Sequence, residues 1–501
     1  MNEPEETIIP AEGESLKEGS SKDGILGFIG RPFDWLKMLS DELHWSFVSA
    51  VVIVYGINQG LSMGLSKIST QYYMKDDQKL QPSEAQVYFG ILQLPWVVKP
   101  LWGLLTDTLP IFGYRRRPYF IIAGFLGIIS MVILSLKQDL HLAFALLCLI
   151  TSSAGMAVAD STIDACVTEN SISHPYLASD MQSLCGVSSS IGQLIGYTVS
   201  GFLVHLIGSK GVFGVLSIPA ALVLLVGLMI GETFVNKGAD RRVSEKLRDA
   251  GKAMWIALKC KNVWRPCLYM YVSLALSLQI HEGMFYWYTE AKNGPFFSKE
   301  AVGAISSIGA VGSLLGILLY QNAFKHHPFR RVLFWAQLLY GASGLLDLIL
   351  VSRANLRIGI PDYFVAVSDA AISHMITRLK WMPLLVLSTK LCPSGIEGTF
   401  FALLMSIDHI GSLTAAWAGG LCLHVLHVTR TQFGNLWVAI VVRSFLRVVP
   451  VGLLFLVPRN DDPNASILPD ELLNTRKGEE SEDMEMVSLV NNDDDPNSVE
   501  E

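Results

Sequence analysis

The sequence is poor in charge: Asp, Glu, Lys and Arg make up 17% of the 501 residues, against ~25% in an average soluble domain. With 51% apolar residues and a mean hydropathy of +0.40, a soluble globular protein is excluded as the leading reading. Catalytic and nucleotide-binding signatures are missing as well. The chain has no His-Glu-x-x-His, no Gly-x-Ser-x-Gly, no Cys-x-x-Cys and no Gly-x-x-x-x-Gly-Lys phosphate loop, which argues against an enzyme, a metal site or ATP-driven pumping by this chain. No cofactor and no nucleic-acid partner are expected. The first thirty residues lack the basic start and apolar stretch of a secretory signal. The seven cysteines fall in apolar segments or in loops on the basic side, so free thiols are expected rather than disulfides.

The charge that is present is segregated. Residues 1–23 carry −5 and residues 459–501 carry −11, so a net −7 overall leaves +9 on the apolar body. Both acidic ends lack the apolar content that offsets ordering entropy and read as solvated tails. Asp493 to Asp495 with Ser481, Ser488 and Ser498 would suit phosphorylation or regulatory partners.

A hydrocarbon core of ~30 Å needs about 20 helical residues to cross it. Twelve apolar stretches meet that length: 46–66, 84–106, 118–136, 140–163, 181–206, 211–234, 266–289, 300–320, 331–351, 359–388, 396–426 and 433–457. The sequence therefore predicts an all-α protein partnered by a lipid bilayer. Its parts are an acidic tail and pre-membrane segment over 1–45, a six-helix bundle over 46–235, a basic hinge loop over 236–265, a second bundle over 266–458 and an acidic tail over 459–501. Lys and Arg collect in cytoplasmic loops, which puts the hinge, Arg115 to Arg117, Lys325, Arg330 and Arg331 in the cytosol together with both termini. Lys67, Lys75, Lys79, Arg353 and Arg357 are then assigned to the opposite loops. The sequon at Asn464 lies in the cytosolic tail and should be unused.

The two bundles resemble each other. A shift of 213 residues superposes Gly103 on Gly316 and Arg117 on Arg330; a shift of 219 superposes Gly192 on Gly411, Gly201 on Gly420 and His205 on His424. A duplicated six-helix unit is the plan of carriers that rock two bundles about a site near the midplane.

Two stretches carry the chemistry. In the first, Gly103 and Asp107 are followed by Pro110, Gly113, Tyr114 and Arg115-Arg116-Arg117. The glycine would let helices approach closely, and Asp107 facing three arginines would form a latch that exists in one conformer only. In the second, Asp160 and Asp164 stand four residues apart on one helix face, with Glu169 just beyond. Ionisable groups inside a membrane mark a pathway or a partner, so this pair is a candidate for proton coupling or for polar substrate contact. Solvation at the cytosolic mouth, with the pair serving only Arg115 to Arg117, is the competing reading.

Cationic candidates for an anionic solute are Lys99 beside Pro100, Arg378 and Lys380 in the tenth helix, and Arg443 and Arg447 in the twelfth. His281-Glu282 precedes an aromatic run at Tyr286, Trp287 and Tyr288, which reads as an interfacial belt. Asp408-His409 reads as a buried polar pair.

Gly-x-x-x-Asp with following arginines resembles the major facilitator superfamily. The longer run through Pro110, Gly113, Tyr114, the three arginines, Pro118 and Tyr119, together with the Asp160 to Glu169 stretch, is similar to the folate–biopterin transporter family, in particular its plant members. The resemblance covers roughly residues 45–457. Ser161 and Thr162 depart from the family's usual aliphatic residues. The resemblance implies twelve helices in two pseudo-symmetric bundles, alternating access, and a folate or pterin-like solute. Asp160, Asp164, Lys99, Arg378 and Arg443 would then contact the solute or the coupled proton, and Gly103, Asp107 and Arg115 to Arg117 would gate. A carrier of another small organic solute, or a non-transporting receptor with this fold, remains the alternative.

Overall fold

The computed structural model describes residues 25–232, 234, 252, 255, 258–325, 327–390 and 397–458. Most of the basic hinge, Cys392, the Asn464 sequon and both acidic tails therefore lie outside the described residues. In the unit ending at Val48, a helix over Ile25–Leu43 stops at His44, whose φ of 69° ends the α-conformation.

The second unit begins at Ser49, within the first membrane span, and holds the rest of that span and all the others. Among the described residues no strand forms, and twelve spans follow in order. The first four are Trp45–Asp77, 82–108, Arg117–Leu136 and Leu142–Ser173. The helix Ala178–Met229 supplies the fifth and sixth, separated at Gly208, whose φ of 70° suits the one residue without a Cβ penalty. The seventh is Lys261–Ala275 continued by His281–Glu290, followed by Lys299–Phe324, Phe329–Val351, Asp362–Lys390, Glu397–Val425 and Leu436–Leu456.

Eight helices are long and apolar enough to cross a membrane by length and composition, and one of these holds both the fifth and sixth spans. The second, seventh and tenth spans fall short. Pro95 and Pro100 break the second into Pro82–Ile91, Leu94–Val97 and Lys99–Thr108, because proline removes a donor and clashes with the preceding turn. The freed carbonyl of Leu92 accepts a hydrogen bond from Ser153 Oγ at 2.9 Å. The tenth carries Asp362, Asp369, Arg378, Lys380 and Lys390.

The first span runs eleven residues past its expected end at 66, to Asp77. Lys67 and Lys75 therefore belong to a helix, not to an outer loop. Hydropathy underestimates this span because Ser69, Thr70, Gln71 and Lys75 are buried against protein instead of facing lipid.

The duplication has a structural counterpart. Arg117, at the start of the third span, donates to the carbonyls of Gly227 and Leu228 at the end of the sixth. Its sequence equivalent Arg330, at the start of the ninth, donates to Val457 and Phe455 at the end of the twelfth. Likewise a Cβ at Gly192 would fall 1.9 Å from the carbonyl oxygen of Gly56, fifth span against first, and one at Gly411 2.8 Å from Leu274, eleventh against seventh. Close helix approach through small residues thus recurs in both halves. Gly103 behaves differently: a Cβ there would meet nothing within 4 Å, so it brings no neighbour close in this conformation.

Candidate functional site

Three groups of polar residues occupy the apolar body: a charge cluster in the first half, a cavity between the halves, and a rim that joins the halves on the side away from the arginine loop.

In the first cluster Lys99, placed at the proline break of the second span, reaches across to the fourth. Its Nζ lies 2.6 Å from Asp160 Oδ2 and 2.8 Å from Asp164 Oδ2. The i, i+4 spacing read from the sequence puts both carboxylates on the face that meets this lysine. Gln59 Nε2 donates to Asp160 Oδ1 at 3.0 Å, and the Tyr55 hydroxyl donates to Asp164. Tyr55 and Gln59 belong to a π-helical stretch, Val52–Leu61, and such irregular turns recur at functional sites. One cation thus faces two carboxylates. The Asp160 side chain is 3% exposed and that of Asp164 42%, so water reaches only the second.

The arginine loop is held by acids the sequence did not single out for it. Glu232, just past the sixth span, accepts the backbone N–H groups of Arg115, Arg116 and Arg117 at 2.5–3.0 Å, and Arg116 Nη2 lies 2.8 Å from Glu169. The Asp107 side chain lies outside the described residues.

The cavity, of about 240 Å³, is lined by Gln193 and Tyr197 from the first half and by Ser313, Tyr340, His374, Arg378, Lys380 and Trp381 from the second. Its cations stack on aromatic faces. Arg378 lies 5.2 Å from the Trp381 ring and Lys380 4.5 Å from that of Tyr340, while Arg447 covers Tyr340 at 4.0 Å. Lys67 joins them from the first half, 5.6 Å from the Tyr197 ring and within electrostatic reach of His281 and His374. Lys380 is 2% exposed, and Ser273 is its hydrogen-bonding partner, with Oγ at 3.3 Å. Among the described residues no carboxylate lies within ion-pair distance of Lys67, Arg378, Lys380 or Arg447. Of these, Lys380 and Arg447 are buried, and buried cations without anions are a costly arrangement; cations beside flat aromatic surfaces could hold an anionic group there.

Arg443 is occupied elsewhere. It forms a buried pair with Asp347, with Tyr288 and Asp369 against the same carboxylate. It does not line the cavity, and Asp347 went unremarked in the sequence because a lone aspartate in an apolar run has no local motif. Asp408 and His409 do not pair with each other: Asp408 accepts from Trp381 Nε1 at 3.1 Å and His409 faces Trp96, with centroids 6.0 Å apart.

The rim ties the first span to the seventh and to the loop after the eleventh. Arg430 makes a two-point pair with Glu290 at 2.5 and 3.1 Å and donates to the Lys75 carbonyl at 2.9 Å. Its N–H bonds Gln81 Oε1 at 3.2 Å. Lys75 Nζ lies 3.8 Å from Glu290. Hydrogen bonding to Glu290 raises the Arg430 pKa above its ordinary value, so this guanidinium stays charged at any physiological pH. Deeper in, Tyr286 donates to the Leu80 carbonyl at 3.0 Å, and Glu282 bonds Gln71 and Gln86. Tyr286 and Trp287 are buried at 0% and 4% exposure: Tyr286 bonds across to the first half and Trp287 packs in the core of the second, so they do not form a lipid-facing belt. The expected belt failed because position along the helix does not reveal which face meets lipid.

Twelve spans in two related halves, with polar groups between them, define a protein of the major facilitator fold. The nucleoside transporter NupG has this architecture, with a TM-score of 0.60 at 14% identity over 84% of this chain and 97% of that one. A D-xylose–proton symporter gives 0.58 at 14% identity over 82% and 97%. The chain belongs to the BT1 family, whose model matches residues 59–470. It is 56% identical over 491 residues to "Probable folate-biopterin transporter 2" of Arabidopsis thaliana, covering 96% of this chain and 98% of the relative. It is 30% identical over 425 residues to the "Folate-biopterin transporter" of Synechocystis, covering 85% and 84%.

Proposed function

We propose that the protein is a secondary transporter that moves folate or a pterin-like solute across a membrane by alternating access. The observation that carries this reading is the cavity between the halves, where Arg378 and Lys380 stand beside aromatic rings and, among the described residues, no carboxylate lies within ion-pair distance of either. A flat heteroaromatic ring bearing an anionic tail satisfies both features, and the names of the relatives support the same solute class. The rim contacts support a state closed on the Lys75–Arg430 face. The basic loops favour a topology with the arginine loop and both termini in the cytosol.

Lys99, Asp160 and Asp164 take the coupling role. With one cation for two carboxylates the cluster carries a surplus negative charge that a proton can cancel, and Asp164 is the member water can reach. Arg115 to Arg117 act in gating through Glu232 and Glu169, with Asp107 as the conformer-specific partner. The acidic tails serve regulation: removing residues 466–501 should leave uptake intact.

The test is uptake of labelled folate, pterin and glutamate-free analogues into a transport-deficient cell. Accumulation of at least one supports the reading; no uptake of any, with normal membrane expression, refutes it.

A further inference from the structure

Glu282 opens the second piece of the seventh span and is 3% exposed. Its Oε1 accepts from Gln71 Nε2 at 2.8 Å, and its backbone N–H donates to Gln86 Oε1 at 3.1 Å. Both glutamines belong to the first half, so these bonds exist only while the halves are together on the rim face. Oε2 is buried with no hydrogen-bond partner, and no cation lies within ion-pair distance among the described residues.

Desolvating an ion with one oxygen unpartnered costs far more than leaving an acid hydroxyl unpaired. The closed state therefore selects the neutral carboxyl. When the rim opens, Gln71 and Gln86 depart and water replaces them, which favours the carboxylate. We propose that Glu282 is a proton-binding residue of the transport cycle, taking up a proton as the Lys75–Arg430 face closes and releasing it as that face opens.

The groups around it allow this. Among the described residues Lys67 of the first span is the charge that acts on Glu282, and Tyr286 stands one turn along the same helix. The second span offers only the amide of Gln86. The eleventh and twelfth present Leu423 and Leu436 beside Gly283. His281 adjoins it in sequence. Lys75, Asp76, Glu290 and Arg430 stand nearer the rim, and Arg430 is charged in both states, so it cannot supply the pH dependence. The inference rests on the transport reading but is measured without any solute.

Hydrogen–deuterium exchange of the full-length chain in detergent, corrected at each pH for intrinsic chemical rates, reads the rim directly, since the amides of Glu282 and Arg430 are bonded across the halves. In wild type, protection of residues 81–86 and 281–290 should fall as pH rises, the closure constant changing by up to about tenfold per unit for one linked proton. In Glu282→Gln protection should persist across the whole range. Gln71→Leu, which keeps the acid but removes its hydrogen bond, should move the loss of protection to lower pH. A pH-independent wild type, an unaltered profile in Glu282→Gln, or, should that variant not fold, an unshifted midpoint in Gln71→Leu, would each overturn the proposal. Absence of folate or pterin uptake would instead strike the transport reading and leave this profile unchanged.

Discussion

The two charge groups differ in the sign of their surplus. In the first half Lys99 serves both Asp160 and Asp164 and an acid is left over; around the cavity Arg378 and Lys380 have aromatic neighbours and, among the described residues, no acid within ion-pair distance. A surplus carboxylate wants a proton, and surplus cations want an anion. On the function proposed above, the contrast separates driving force from cargo, with proton binding assigned to the second and fourth spans and to Glu282, and solute recognition to the tenth and its neighbours.

The largest effect should come from removing the shared lysine. Lys99→Met leaves two facing carboxylates, one of them buried, with no cation; breaking such a pair costs about 3–5 kcal/mol. Thermal unfolding in detergent should show that loss, together with abolished uptake, and adding Asp160→Asn should recover much of the stability without restoring uptake. A Lys99→Met protein as stable and active as wild type would dissolve the comparison.

Next, Lys380→Met should raise KM for folate by on the order of 10- to 100-fold, as loss of one charged hydrogen bond of about 1.5–3 kcal/mol implies, while barely changing KM for a pterin without the glutamate tail. Equal changes for both solutes would mean that the lysine supports the fold and not the anion.

A smaller but more diagnostic change concerns Asp164. Wild-type uptake should rise as the outside is acidified, because protonation cancels the surplus charge. Asp164→Asn should reduce the slope of that profile, leaving the part linked to Glu282, and weaken uphill accumulation while solute exchange survives. Asp160→Asn, at a carboxylate only 3% exposed, should lower activity at every pH and keep the slope. If both variants retain the wild-type slope, coupling lies outside this cluster.

Least of all, Arg430→Ala should weaken the rim by at most about 1 kcal/mol, since its pair with Glu290 is partly solvated. Accessibility labelling of the rim should increase no more than about fivefold. A complete loss of closure would assign the rim far more weight than its exposure allows.

The sequence was informative where a signal is local. Twelve apolar stretches, the i, i+4 acids and the Arg117–Arg330 equivalence were all legible, and Lys99, Asp160 and Asp164 were identified separately. Their meeting was not, because nothing along the chain tells which of several buried cations faces which acid; Arg443 went to Asp347 for the same reason. Lys75 was misread because a helix face turned toward protein is as polar as a loop. Glu232 and the Arg430–Glu290 pair join segments 117 and 140 residues from their partners, beyond the reach of any motif.

The broken second span has a consequence for how the protein is made. At the centre of a helix a single lysine or arginine costs about 2.5–3.5 kcal/mol on translocon insertion scales, and the second and tenth spans, which hold Lys99, Arg378 and Lys380, are among those that do not qualify as membrane-crossing by length and composition. Synthesis delivers Lys99 about sixty residues before Asp160, its counter-charge. The second helix is therefore expected to be retained beside the insertion machinery, or to wait at the interface, until the fourth emerges, so that the ion pair of the folded protein would also set the order of its assembly.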